Sequence, residues 1–210
     1  MAIRISNQDV LLVIDIQNDF CTGGALAVPD GEQVVPVVNR IASHFDHIVL
    51  TQDWHPPGHS SFASSHTSKQ PFDSIEVAYG QQTLWPDHCV IGTSGAAFHP
   101  GLHLEKAELI LRKGFRKEID SYSAFTENDR RISTGLAGYL RERNFQRVFL
   151  TGLAYDYCVR FSALGSIQAG FETYVFEDSC KAINLQGSVD DTKRDFAAAG
   201  IHSIIASHIE

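Results

Sequence analysis

The apolar and polar positions alternate between two periods along the chain. Short continuous apolar runs recur at Val10–Asp15 (VLLVID), His47–Thr51 (HIVLT), Glu108–Leu111, Arg147–Leu150 (RVFL), Thr173–Phe176 and Ser203–Ala206. Runs of that length without polar alternation predict parallel strands covered on both faces. Between them lie stretches with helical spacing. Glu32–Phe45 carries Val34, Val35, Val38, Ile41 and Phe45, with Pro36 early enough to be tolerated. Glu127–Arg143 and Asp190–Ala199 read as two further helices. Strands alternating with helices imply βαβ units, so the expectation is an α/β fold. It would have a single-domain, mainly parallel sheet of about six strands, flanked by helices on both faces, over residues 1–210. One stretch breaks the pattern. Pro56 to about Pro100 is rich in Ser, His, Gly and Pro and shows little periodicity, and a loop of that length in a compact domain is usually functional.

The stretch Leu150–Gly170 (LTGLAYDYCVRFSALGSIQAG) organises the chain. A strand ends in Thr151-Gly152, a turn follows, and Cys158 opens an amphipathic segment with Val159, Phe161, Ala163, Leu164 and Ile167 on its apolar positions. A thiol at a helix N-terminus faces free N–H groups and the positive dipole end, which should lower its pKa.

Composition narrows the function classes. The 210 residues carry 17 Lys plus Arg against 25 Asp plus Glu, a formal charge of -8. That balance argues against nucleic acid as the main partner. No run nears the roughly 20 apolar residues of a membrane helix, and the N-terminal apolar run stops at Asp15, short of a signal peptide. Cys21, Cys89, Cys158 and Cys180 form no CxxC pair, which suits reduced thiols and a cytoplasmic location. A homo-oligomer is compatible with the chain.

In parallel sheets, ligands sit beyond the carboxyl ends of the strands. Asp15, Asp53, Lys113 and the turn before Cys158 all follow a predicted strand. A thiol nucleophile needs a base for its proton and a positive neighbour for the thiolate, and Asp15 and Lys113 supply these. In Asp53-Trp54-His55, residues i and i+2 of an extended segment share a side, so Asp53 and His55 can share a cation. His88 is the best-placed third ligand. Two histidines and a carboxylate leave open positions, which fits a catalytic or substrate-binding Zn, Fe or Mn site. His44, His47, His99, His103, His202 and His208 read as surface polar groups, and His59 and His66 stay unassigned.

The blocks VIDIQNDF with GGAL behind it, TQDWHPPGHSSFAS, LWPDHCVIGTSGAAFHPGL, RKG followed by DSYSAF, and TGLAYDYCVRFSA carry a resemblance. In this order, and over nearly the whole chain, the sequence resembles the nicotinamidases of the isochorismatase-like cysteine hydrolase superfamily. The resemblance implies a triad of Asp15, Lys113 and Cys158, and Asp53, His55 and His88 as ligands of one divalent metal, zinc foremost with iron or manganese as alternatives. It implies Phe20, Leu26, Trp85 and Tyr122 around the ring of nicotinamide or its analogue pyrazinamide, and Ala154 and Cys158 N–H groups on the oxyanion. A cis peptide would precede Ala154. Where some members place a further His eight residues after the metal-binding Asp, this chain has Ser61, which would stand behind a metal-bound water. The implied reaction is hydrolysis of nicotinamide to nicotinate and ammonia. Two rivals are a related thiol hydrolase of another small amide and a non-enzymatic binder of a pyridine metabolite.

Overall fold

The computed structural model describes residues 3–210. Six strands build the main sheet: β1 (Asp9–Ile14), β2 (His47–Asp53), β5 (Leu109–Lys113), β6 (Arg147–Leu153), β7 (Glu172–Lys181) and β8 (His202–Ile204). They lie in the order β5-β2-β1-β6-β7-β8, and every neighbouring pair is parallel. The continuous apolar runs follow from burial on both faces. Leu11 and Val13 of β1 pack towards α1 (Val34–Ala42), while Val10, Leu12 and Ile14 pack towards α2 (Leu136–Glu142), α3 (Arg160–Gln168) and α4 (Ser188–Ala199). The expected sheet, covered on both faces, is therefore the one observed.

Four details differ from the sequence expectation. The helix read over Glu127–Arg143 forms only at Leu136–Glu142. Its first half is turned by local hydrogen bonds instead: Asp129 Oδ1 accepts from Arg131 N and Ile132 N, and Arg130 and Gly135 take positive φ. Short polar side chains compete with helix in just this way. In α3 the buried positions are Ser162, Ala163, Gly165 and Ser166, not Leu164 and Ile167, because the helix lies close against its neighbours. Gly165 marks the closeness, since a Cβ there would meet Ser123 Oγ at 2.7 Å. The irregular stretch before Pro100 holds a hairpin of β3 (Ser74–Val77) and β4 (Gly80–Thr83).

Strand β7 runs past Phe176 to Lys181, with a register shift opposite Leu150–Gly152. The polar residues Glu177, Asp178 and Ser179 at the bulge hid that continuation. Gly152 is demanded by crowding: its φ is +121°, and a Cβ would lie 2.1 Å from the Ile14 carbonyl oxygen.

Candidate active site

The carboxyl ends of β1, β2, β5 and β6 deliver Asp15, Asp53, Lys113 and the turn to Cys158 to one edge of the sheet. Asp15 terminates β1 in the left-handed region, with φ 47°. Such backbone in a non-glycine residue is typical of functional sites. Lys113 ends β5 and is the hub. Its Nζ lies 2.7 Å from Asp15 Oδ2, 2.6 Å from Asp53 Oδ1 and 3.4 Å from Cys158 Sγ, and it donates to the Ser121 carbonyl at 3.0 Å. All four side chains are buried.

Charge decides what each group does. Burial alone would strip the Lys113 proton, but Asp15 and Asp53 outweigh it and hold the ammonium well above its ordinary pKa. Burial would raise Asp53 too, yet Lys113 and His55 hold it well below the usual carboxylate range. Asp15 goes the other way: burial lifts its carboxyl, and Lys113 only partly opposes this. Thr51 Oγ1 donates to Asp15 Oδ1 at 2.6 Å, which leaves Oδ2 on the Lys113 side.

Cys158 corrects the expectation of a lowered thiol pKa. It is the fourth residue of a helical segment that begins with a π turn at Tyr155–Val159, and its thiol is buried. Burial pushes the thiol well above its ordinary value; Lys113 pulls down, and the carboxylates of Asp15 and Asp53 push up. A thiol raised in this way calls for a base close by, and the Asp15 carboxylate lies within 4.8 Å of its sulfur.

The second cluster abuts the first through Asp53. His55 Nε2 lies 3.3 Å and His88 Nε2 3.6 Å from Asp53 Oδ2. The other ring nitrogens are engaged: His55 Nδ1 pairs with the Gly114 carbonyl and His88 Nδ1 with the Pro86 carbonyl, both at 2.8 Å. A carbonyl can only accept, so those nitrogens carry protons, and each ring turns its Nε2 towards the Asp53 carboxylate. Ligand atoms of Asp53, His55 and His88 lie within 4.8 Å of one another. Two Nε2 atoms turned towards a carboxylate, each ring held from behind by a carbonyl, suit a divalent metal. Gly114 makes room for it, because a Cβ there would meet His55 Cε1 at 2.4 Å.

The pocket at this junction is lined by Phe20, Leu26, Trp85, Tyr122, Ala154 and Cys158, all anticipated. It is also lined by Asp120, Tyr157 and Ile183, which the sequence reading missed. Asp120 Oδ1 lies 4.0 Å from His55 Nε2, and its Oδ2 accepts from Gln82 Nε2 at 3.1 Å. It opens the DSYSAF block, but no spacing rule ties it to a metal. Ile183 follows the unexpected extension of β7. The Leu153–Ala154 peptide is cis. Ser61 is buried and pairs with His59 Nδ1 at 2.7 Å, while His59 Nε2 donates to the Arg116 carbonyl at 2.8 Å. His66 lies apart, on the Ser60 carbonyl.

Comparison with known proteins gives the family of the chain. Residues 9–205 match the isochorismatase domain family. The nicotinamidase of Acinetobacter baylyi is 49% identical over 209 residues, covering 100% of this chain and 98% of its own. Among solved structures, a nicotinamidase/pyrazinamidase of Acinetobacter baumannii superimposes with a TM-score of 0.95 at 48% identity, covering 96% of this chain and 98% of its own. A Leishmania infantum protein in complex with nicotinate gives 0.88 at 36%, covering 100% and 99%. The pyrazinamidase of Pyrococcus horikoshii in complex with zinc gives 0.77 at 33%, covering 94% and 99%. The chain belongs to the isochorismatase family, in its nicotinamidase branch.

Proposed function

We propose that this protein is a nicotinamidase, an amidohydrolase converting nicotinamide to nicotinate and ammonia. The observation that carries the reading is the junction itself: a buried thiol, lysine and carboxylate meet a two-histidine, one-carboxylate cluster on the wall of one pocket lined with flat side chains. The relatives named nicotinamidase and the nicotinate complex support the same substrate.

The pyridine ring lies between Phe20, Trp85 and Tyr122, whose faces and edges suit an aromatic guest. Asp53, His55 and His88 would hold a divalent metal, which when bound would supply a positive anchor for the ring nitrogen. The zinc complex of the Pyrococcus relative supports zinc as the ion. With the amide carbon set against Cys158 Sγ, Asp15 takes the thiol proton and the sulfur attacks. Lys113 Nζ, next to both groups, stabilises the single negative charge as it passes from Asp15 to the sulfur. Backbone N–H groups of Ala154 and Cys158 hold the oxyanion; losing one such donor costs about 3 kcal/mol in a comparable site. Asp15 returns the proton to the nitrogen, the C–N bond breaks, and ammonia leaves. Water then attacks the thioester, Asp15 takes its proton, and the thiol is restored with nicotinate as product. Ser61, paired with His59 Nδ1, would stand behind the ligands of a bound metal.

The reading includes a cytoplasmic location, which four free thiols suit; no helix among the described residues is long and apolar enough to cross a membrane. Incubation with nicotinamide, with nicotinate followed by mass and ammonia by a coupled assay, tests the activity. Both products should appear in equal amounts. Benzamide, which lacks the ring nitrogen, should be turned over at least about tenfold less efficiently. Tight binding of nicotinamide without ammonia release would favour the non-enzymatic binder instead.

A further inference from the structure

Gln17 lies two residues beyond Asp15 on the segment that leaves β1, and it is fully buried. The ladder between β1 and β2 extends as far as Val13 opposite Leu50. Asp15 then turns the main chain, and contact with Asp53 is made by the Gln17 carboxamide. Asp53 N–H donates to Gln17 Oε1 at 2.8 Å, and Gln17 Nε2 donates to the Asp53 carbonyl at 2.9 Å. A carboxamide has the donor and acceptor of a peptide group, so this side chain adds the rung that the departing strand leaves out. Its other N–H goes to the Ala96 carbonyl at 2.9 Å. The peptide groups flanking the Asp53 side chain are thereby pinned on both sides. That matters because the Asp53 carboxylate is divided: Oδ1 meets Lys113 and Oδ2 faces His55 and His88.

We propose that Gln17 is a positioning residue for the metal centre, holding the Asp53 main chain so that one carboxylate serves Lys113 and the metal together. The proposal rests on the metal reading given above. The buried carboxamide is not part of the pocket lining and acts through Asp53.

The test measures zinc affinity of metal-free protein by competition with a chromogenic chelator, with no substrate present. Gln17→Met keeps the length and removes the carboxamide. Gln52→Met is the control, because Gln52 Nε2 donates to the same Ala96 carbonyl at 2.8 Å but does not bond the Asp53 peptide. Gln17→Met should weaken zinc binding about 10- to 100-fold, as loss of a ligand's supporting partner does, while Gln52→Met stays within about threefold. Equal loss in both variants, or none in Gln17→Met, overturns the proposal alone. Wild-type protein that takes up no zinc overturns the metal reading and this proposal with it. If Gln17→Met does not fold, hydrogen exchange of metal-free wild type decides. The Asp53 amide should be protected by Gln17 Oε1, and free exchange there overturns the clamp.

Discussion

Asp53 carries two jobs on one carboxylate, so single substitutions should separate the halves of the site. His88→Ala removes a ligand that lies beside Asp53 Oδ2 and has no contact with the triad. It should lose metal and raise KM sharply, with alkylation of Cys158 by iodoacetamide near the wild-type rate. Asp53→Asn should lose metal and also change the alkylation rate, because Lys113 loses one of its two anionic partners. Identical alkylation kinetics in both variants would contradict the shared carboxylate. Asp15 sets the acid side of the pH profile. Burial holds its carboxyl above the usual range of about 4. Once protonated it cannot take the thiol proton, so kcat/KM should fall as pH drops through that raised value. Asp15→Asn should lower kcat by about 10²–10⁴-fold, the usual worth of a positioned base. Residual activity of that variant with an unchanged acid limb would assign the limb to another group.

The elements succeed at the site because four strands end there and glycines let them approach. Gly152→Ala would drive a methyl into the Ile14 carbonyl at a φ of +121°. It should cost roughly 2 to 5 kcal/mol, combining backbone strain with overpacking, read as a lower midpoint in chemical denaturation. Gly114→Ala would press on His55 and should lose metal before it loses fold. The strands were legible because doubly covered parallel strands leave an unbroken apolar run, and β1 and β2 declare themselves that way. The proposed triad was legible because Asp15 and Lys113 stand at strand ends, and Cys158 follows the turn that leaves the next strand. What stayed hidden depends on tertiary partners. Arg130 and Asp129 break a helix that spacing alone predicts, a bulge disguises half of β7, and Asp120 reaches His55 only through the folded loop. The direction of the Cys158 pKa shift departs from the helix-end expectation for the same reason, since a local rule about helix ends says nothing of burial.

At the scale of the molecule, a metal held by this cluster would link two parts of the structure. Asp53 and His55 come from β2 and its continuation, and His88 from the loop beyond the hairpin. An ion bound only by the folded arrangement stabilises it by mass action. Zinc at 100 times its Kd should add about 2.7 kcal/mol to the metal-free protein. The gain should appear as a concentration-dependent rise in Tm that His88→Ala lacks. A rise of equal size in His88→Ala would place the ion elsewhere. The central claim is that Cys158 attacks nicotinamide and carries its acyl group, and rapid-quench mass spectrometry of the protein during turnover addresses it directly. The account predicts a transient nicotinoyl adduct on the peptide containing Cys158, sensitive to hydroxylamine and absent from Cys158→Ala, which should also be inactive. Nicotinate formation by Cys158→Ala at the wild-type rate, or an adduct on any other residue, would contradict it.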